Sequence, residues 1–429
     1  MSLHRVLDRN TAAWLVAGGM IGSGIFFFPG IIADRLPGAG LPIAAWILGG
    51  LIALCGAMTY GELGARIPHA GGDYRYLNEA YGPFWGFLNG WAAMTLTFSA
   101  AAAAQAQSSL AYLERLWPQI ASVPFLPAVI ILALTATNVV GAKASGRATL
   151  LLTALPIAAL FVLFAVGLGD AELSSPGSAS ELPASQWPVA IALALVPIYF
   201  AYSGWNAAAY LAGEMKAPKK ELGPALVLGT FAVIALYTAV NGIVLASVPA
   251  EELRGSTSAV AQAALRLSGP SAERWIAAIV AVAILGSCNV TLMAGARIYY
   301  AMAKAGQLPK LLSRTNAAGV PSTALWIGGA WACVLSLFNE MEQLVEWATL
   351  AILLLSSFAV SSLFVLRARN VGDPDGYRVP AYPLVPALYL VISLAVAVAV
   401  LRNDPVHAGI GLAIILVGAL IYPALSRQR

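Results

Sequence analysis

Long stretches without any charged residue are the feature that most constrains this chain. Twelve of them contain at least 20 consecutive residues, about the length that a helix needs to cross the hydrocarbon core of a bilayer. With 59% hydrophobic and 10% charged residues, the chain has too few charges to cover a water-soluble surface of its size. We therefore predict an all-α integral membrane protein with twelve transmembrane helices. The stretches are residues 10–33, 36–61, 80–113, 116–142, 148–169, 182–213, 222–250, 275–296, 315–339, 347–366, 379–401 and 405–426.

The distribution of Lys and Arg predicts the orientation. Twelve spans place both termini on one side of the membrane. If that side is the cytoplasm, 18 of the 24 Lys and Arg residues fall on cytoplasmic loops, termini and helix ends. Because cytoplasmic loops carry an excess of these residues, we expect a multi-pass protein of the cell inner membrane with N and C termini cytoplasmic. The net charge of +4 then reflects orientation and predicts no nucleic-acid partner.

Two of the apolar stretches are interrupted by poor helix formers. The first reads GGMIGSGIFFFPG, from Gly18 to Gly30, and the sixth reads PIYFAYSGWNAAAYLAGEMKAP, from Pro197 to Pro218. Interrupted segments at corresponding positions of two halves point to an inverted-repeat transporter and its binding site. We predict a first repeat over 1–169, an extracellular connection over 170–186, a second repeat over 187–368, and two further helices with a cytoplasmic tail over 369–429.

Breaking a helix inside a membrane frees backbone groups that lipid cannot satisfy. A freed helix N-terminus offers N–H donors to a carboxylate, and freed carbonyls accept from an ammonium group. An α-amino acid carries both groups, so a break at Gly22 to Ile25 predicts a site for a zwitterion. On this basis Gly24→Val should abolish binding by blocking backbone approach, without unfolding the protein. Close packing of helices is the alternative explanation for the glycines.

Six motifs, in the same order, resemble those of the amino acid, polyamine and organocation (APC) transporter superfamily and its L-type amino acid transporter (LAT) branch. The resemblance covers nearly the whole chain and implies a 5+5 inverted-repeat (LeuT-like) fold with discontinuous helices 1 and 6, plus helices 11 and 12. Besides the first-helix motif, the segments are YGELGARIPHAGGDYRYLNEAYGPFWGFLNGW, NVVGAKASGRATLLLTA, FAYSGWNAAAYLAGEMKAPKKELGPAL, GSCNVTLMAGARIYYAMAKAGQLPKLL and YRVPAYPLVPAL.

The resemblance implies a set of substrate-binding residues. Backbone groups that bind the substrate carboxylate would come from Gly22, Ser23, Gly24 and Ile25. Carbonyls that face the amino group would come from Met20, Ile21, Phe200, Ala201 and Ser203. The side chains nearest the substrate R-group would be Trp205 and Asn206, and the gating residues would be Phe200 on the outer side and Tyr237 on the inner side.

Two departures from the family pattern affect coupling and partners. Many relatives have a lysine in the fifth helix where an ungapped alignment puts Pro156, so proton coupling through that residue is not implied here. Animal members are disulfide-linked to a glycoprotein subunit through a cysteine between helices 3 and 4. Here that loop reads LERLWPQIASVP. We expect no disulfide-linked heavy chain, and a monomer or weak homodimer.

The charge-free spans also predict the substrate class. Because no span has a central charge, a neutral L-amino acid fits best. Cationic amino acids or amines, agmatine-like or polyamine-like, are the alternative, since aromatic faces can hold a cation. Import, export and exchange are not distinguished. We interpret Gln105 and Gln107 as interhelical hydrogen-bonding residues rather than pathway residues, and Glu62 and Arg297 as structural charges.

A membrane-embedded enzyme or an assembly subunit is the alternative from another class. The spans contain no cluster of His, Asp or Glu and no nucleophile motif. The three cysteines and three histidines are scattered, so we predict no metal site, no cofactor and no disulfide framework.

Overall fold

The computed structural model describes residues 7–68, 72–140, 182–210, 212–373 and 375–426, with residues 158, 161, 162 and 165 as isolated helical positions. The fifth charge-free stretch, with Pro156, and most of the connection over 170–186 therefore lie outside the described residues. The described part is built of helices, with one isolated parallel bridge between Leu7 and Met215. The helices are α1 (Arg9–Met20), α2 (Gly24–Arg35), α3 (Gly40–Arg66), α4 (Gly72–Tyr81), α5 (Pro83–Ala92), α6 (Phe98–Leu116), α7 (Leu126–Val140), α8 (Trp187–Tyr202), α9 (Ala207–Tyr210), α10 (Pro218–Ser247), α11 (Ala250–Leu253), α12 (Ala259–Lys304), α13 (Ser322–Phe338), α14 (Met341–Ala368), α15 (Leu384–Asn403) and α16 (Pro405–Ser426).

Helices cover the charge-free stretches wherever the chain is described, while the short helices α4 and α11 contain charged residues and lie largely outside them. Seven helical segments are long and apolar enough to cross a membrane, and the bent pair of α1 and α2 makes up to eight. A short π-helical segment, Ala93–Thr97, joins α5 to α6 within the third stretch. The helices α7 and α13 are apolar but have only 15 and 17 residues. A multi-pass helical membrane protein is confirmed, whereas the count of twelve stays a prediction.

The first interrupted segment is a broken helix. The helix α1 ends at Met20, α2 begins at Gly24, and their axes differ by 49°. The N–H groups of Phe26 and Phe27 both bond to the Ser23 carbonyl, at 3.1 and 3.0 Å, and these bonds start the new helix. The break therefore covers Ile21 to Ser23. The expected position, Gly22 to Ile25, is corrected by one to two residues, because Gly24 and Ile25 already belong to α2.

The second interrupted segment is also broken. The helix α8 ends at Tyr202, and the four-residue α9 begins at Ala207. Ser203 has extended backbone angles, and Gly204 has a φ of +99°, which side-chain-bearing residues rarely adopt. The interruption predicted from the sequence is thus present in both segments.

The two broken segments pack against each other in opposite directions. The helix α2 contacts α8, while α1 contacts α9. Since the half before one break meets the half after the other, the segments run antiparallel. Small residues make this possible: a Cβ added at Gly24 would lie 2.5 Å from Ala201 Cα, and one added at Gly19 would lie 3.2 Å from Ala207 Cβ. The helix α10 packs along α1 and α3, and α12 packs along α6.

A buried carboxylate joins the ends of two long helices. Glu62 on α3 is 1% exposed and accepts from Arg66 Nε at 2.8 Å. It also accepts from Arg367 Nε on α14 at 2.8 Å and from the Val379 N–H at 2.9 Å. The interpretation of Glu62 as a structural charge agrees with this geometry, since its contacts with Arg367 and Val379 tie α3 to α14 and to the segment before α15.

Candidate binding site at the two helix breaks

The start of α2 presents backbone donors without acceptors. Among the described residues, the N–H groups of Ser23, Gly24 and Ile25 make no hydrogen bond. Ser23 occupies the N-cap position, yet its side chain makes no capping bond to the helix. Such donors, together with the positive end of the helix dipole, form an anion-binding position.

The breaks also free carbonyl groups, and Tyr237 on α10 contacts two of them. Its buried hydroxyl lies 2.7 Å from the Met20 carbonyl oxygen and 3.2 Å from that of Ala201. Met20 is the last residue before the first break, and Ala201 lies in the last turn of α8 before the second, so a single hydroxyl links both segments. The carbonyls of Ile21 and Ser203 accept no hydrogen bond among the described residues. They are the acceptors available to a ligand with an ammonium group.

Two polar side chains lie beside Gly22. A Cβ added there would be 3.0 Å from Ser287 Oγ on α12 and 3.8 Å from Gln105 Nε2 on α6. Gln105 Nε2 donates to Ser287 Oγ at 3.1 Å, while Gln105 Oε1 is buried without a partner among the described residues. The bond is interhelical, as the sequence interpretation expects, and it also lies against the break. Sequence reasoning missed Ser287, because one serine in an apolar helix gives no signal until its neighbours are known.

The second glutamine has a purely interhelical role. Gln107 Nε2 donates to the carbonyls of Ser336 and Asn339, each at 2.9 Å. This agrees with the interpretation of the pair as hydrogen-bonding residues.

Phe200 lies in the last turn of α8, where its ring meets Phe28 of α2. The rings pack edge to face with centroids 5.9 Å apart, and Phe200 is 5% exposed. The contact joins α2, which follows the first break, to α8, which precedes the second. Sequence reasoning missed Phe28, because nothing in the sequence distinguishes it from Phe26 and Phe27.

The remaining residues predicted on the second break lie in different surroundings. Ser203 Oγ donates to the Phe200 carbonyl at 2.7 Å, which stabilises the end of α8. Trp205 packs on Tyr60 of α3, with centroids 4.7 Å apart, and on Tyr389 of α15, with centroids 6.0 Å apart. The side-chain neighbours of Gly22, in contrast, belong to α6 and α12. The packing of Trp205 favours a structural role, and its place beside a ligand stays a prediction.

Asn206 belongs to a polar chain that sequence reasoning missed. Its Nδ2 lies 3.3 Å from the Tyr210 hydroxyl, which donates to Asp73 Oδ2 on α4 at 3.0 Å. Burial raises the pKa of the Asp73 carboxyl. The chain connects the second break to α4, the short helix that follows α3.

The geometry changes the interpretation of Gly24. A Cβ there would lie 2.5 Å from both Cα and Cβ of Ala201, and 3.2 Å from the Phe28 ring. Valine would therefore separate α2 from α8. The expectation that Gly24→Val leaves the fold undisturbed is corrected, and the packing explanation holds for this glycine.

Within the described ranges, no group of three or more His, Cys, Asp or Glu residues could hold a metal ion. Cys55, Cys288 and Cys333 are buried and free. The site consists of backbone groups, hydroxyls, one amide side chain and aromatic rings.

Removal of the Tyr237 hydroxyl is expected to destabilise the folded protein. In Tyr237→Phe the Met20 and Ala201 carbonyls lose their shared donor in a buried environment, at a cost of about 1–3 kcal/mol. Thermal unfolding of the purified protein in detergent measures this loss. Tyr422→Phe is the matched control, because the Tyr422 hydroxyl makes no hydrogen bond in the described part of the chain while its ring packs on Phe84 and Phe87. Equal stability of the two variants would contradict the linking role of Tyr237.

Comparisons with known proteins place these features in context. A protein-family model described as amino acid permease matches residues 7–421. The serine/threonine exchanger SteT of Bacillus subtilis (strain 168) is 31% identical over 435 residues, covering 100% of this chain and 98% of the relative. The large neutral amino acids transporter small subunit 2 of Homo sapiens is 29% identical, covering 98% of this chain and 80% of that protein. The Asc-type amino acid transporter 1 of Mus musculus is 27% identical, covering 98% and 81%.

Proposed function

The chain belongs to the amino acid permease family of the APC superfamily, and from that premise we propose that it moves neutral L-amino acids across the inner membrane by alternating access, through exchange or facilitated transport. The relatives are named as exchangers or transporters of serine and threonine or of large neutral amino acids. Their names favour a transporter over an enzyme.

One observation carries the proposal: the first break leaves unpaired N–H groups at the start of α2, and the two breaks leave unpaired carbonyls at Ile21 and Ser203. The substrate carboxylate binds the N–H groups of Ser23, Gly24 and Ile25, and its ammonium group binds the Ile21 and Ser203 carbonyls. A zwitterion matches both sets at once. Either set alone would suit a simple anion or a simple amine.

Neutral side chains around the breaks support a neutral substrate. The neighbours recorded at Gly22 and Gly24 are Ser287, Gln105, Ala201 and Phe28, and none of them carries a charge. A charged substrate side chain placed there would lose its hydration without a counter-charge. The polar pair of Gln105 and Ser287 would offer hydrogen bonds to a hydroxyl or amide group on the substrate.

We extend the proposal to the whole fold. The antiparallel packing of two broken segments supports a LeuT-like 5+5 inverted repeat with twelve spans and cytoplasmic termini. In the transport cycle the segments containing the breaks rock against the other helices. The Phe28 and Phe200 contact closes one side of the site, and the Tyr237 hydroxyl holds the two breaks together. The transporter acts without a disulfide-linked subunit.

A ligand panel tests the proposal. The purified protein is heated in detergent with each of the twenty amino acids and with agmatine and putrescine, and any ligand that stabilises it is then tested for counterflow in liposomes. A ligand at a hundred times its dissociation constant stabilises the folded state by about 2.7 kcal/mol. We expect stabilisation and counterflow with a few neutral amino acids. Stabilisation by arginine or the amines alone would contradict the neutral class, and no counterflow with any compound would contradict transport.

A further inference from the structure

A cavity lined by arginines lies where α3 and α14 end, away from the two helix breaks. Its volume is about 300 Å³, and its lining consists of Arg66, Arg367, Asn370, Gly372 and Arg378. Pockets that bind small ligands begin at about this volume. The lining residues include three guanidinium groups and no carboxylate.

Contacts with Glu62 and Tyr382 hold two of the arginines in place. Arg66 and Arg367 both donate to the buried Glu62 carboxylate, and the Arg367 guanidinium lies 3.7 Å from the centroid of the Tyr382 ring. Arg66 Nη2 and Arg367 Nη1 make no hydrogen bond among the described residues. The two side chains are therefore fixed in position with donors to spare, which is how a preorganised anion site is built.

The loop after α14 forms one wall of the cavity. Asn370 and Gly372 have φ values of +53° and +85°, and the Val371 carbonyl between them accepts from Arg66 Nη1 at 3.1 Å. A Cβ added at Gly372 would lie 2.7 Å from the Arg66 Cβ and carbonyl oxygen. Glycine thus allows the loop to close on the end of α3.

The charge around the cavity is unbalanced. Glu62 is one carboxylate shared by the guanidinium groups of Arg66 and Arg367, and the nearby Asp373 is paired with Lys219. Guanidinium groups match the oxygens of a phosphate with paired hydrogen bonds. Basic pockets between membrane helices on the cytoplasmic side suit anionic headgroups.

We propose that this arginine cavity binds a phosphate group, carried by the headgroup of an anionic phospholipid or by a soluble phosphate. A bound phosphate reduces the repulsion between the guanidinium groups and bridges α3, α14 and the loop after α14. The same loop reaches α10, since the Tyr377 N–H donates to the Lys219 carbonyl at 2.7 Å. Binding therefore stabilises the junction of three elements and does not depend on which substrate the breaks bind.

Thermal unfolding of the full-length protein in a neutral detergent tests this inference. Phosphatidylglycerol and phosphatidylcholine are added at equal mole fractions in separate samples, and inorganic phosphate is compared with sodium chloride at equal ionic strength. Asn370→Asp places a carboxylate in the lining while keeping a residue type that tolerates positive φ. Arg378→Gln removes one guanidinium. Asn403→Asp is the charge-matched control, because Asn403 is exposed at the far end of α15.

We expect phosphatidylglycerol to raise the melting temperature of the wild type more than phosphatidylcholine does. The concentration needed for half the effect should rise about tenfold or more in Asn370→Asp and Arg378→Gln, as for loss of a charge-assisted bond, and should not change in Asn403→Asp. The same pattern with inorganic phosphate would identify a soluble ligand, and its absence there would identify the lipid headgroup. Equal responses in all four proteins, or no response to either probe, would overturn the proposal.

Discussion

Gly22→Val is expected to abolish amino acid uptake while the protein remains folded and inserted. A Cβ at this position meets only the Ser287 hydroxyl at 3.0 Å and the tip of Gln105, and both can rotate away. The added methyl groups would occupy the space beside the unpaired N–H groups that the substrate carboxylate needs. We expect at least a hundredfold loss of uptake, equivalent to about 2.7 kcal/mol of lost binding or more.

The control separates a blocked site from a weakened helix. Gly242→Val makes the same substitution on α10, where nothing lies within 4 Å of the added Cβ. We expect near-normal uptake from this variant. Both variants should elute as monodisperse protein and melt within a few degrees of the wild type. Normal counterflow by Gly22→Val would show that the first break does not bind the substrate, whatever the family.

Glu62→Ala is expected to destabilise the folded protein far more than removal of an exposed carboxylate does. The substitution leaves the Arg66 and Arg367 guanidinium groups together without their carboxylate, and Val379 loses its acceptor. Removing one member of a buried ion pair costs about 3–5 kcal/mol. For a chain of this size we expect the melting temperature to fall by roughly 5 to 10 °C.

An exposed ion pair provides the comparison for this prediction. Glu79 lies 3.8 Å from Arg75, and both side chains are 39% exposed. Because exposed pairs contribute about 0–1 kcal/mol, Glu79→Ala should melt close to the wild type. If Glu62→Ala and Glu79→Ala unfold at the same temperature, the buried network does not hold α3 to α14. Glu62→Gln should fall between them, since an amide oxygen still accepts.

In the proposed transport cycle, Tyr237 connects stability with transport. Its hydroxyl contacts a carbonyl beside each break, so the lengths of these two hydrogen bonds depend on the separation of the two segments. If the segments rock as the proposal requires, at least one of these contacts must lengthen in another state of the cycle. Residues of this kind are expected to change the populations of states more than the affinity of one state.

Much of the candidate site could be predicted from the sequence because its proposed binding groups are backbone atoms. The run Gly22 to Gly24 and the pair Ser203 and Gly204 indicate the helix breaks, since glycine and serine are weak helix formers. The partners of the breaks could not be predicted in the same way. Ser287, Phe28 and Asp73 reach the site through contacts between distant parts of the chain, and their residue types are common in other roles.

The sequence by itself determined that the chain is a helical membrane protein, which segments are apolar, and where the two helices break. These properties follow from hydropathy and backbone propensity, which act locally. Only the tertiary structure decided that Gly24 serves packing against Ala201, that Gly22 faces Gln105 and Ser287, and that three arginines enclose a cavity. Those assignments depend on which faces of the helices meet, and in a membrane nearly every face is apolar, so periodicity alone does not distinguish them.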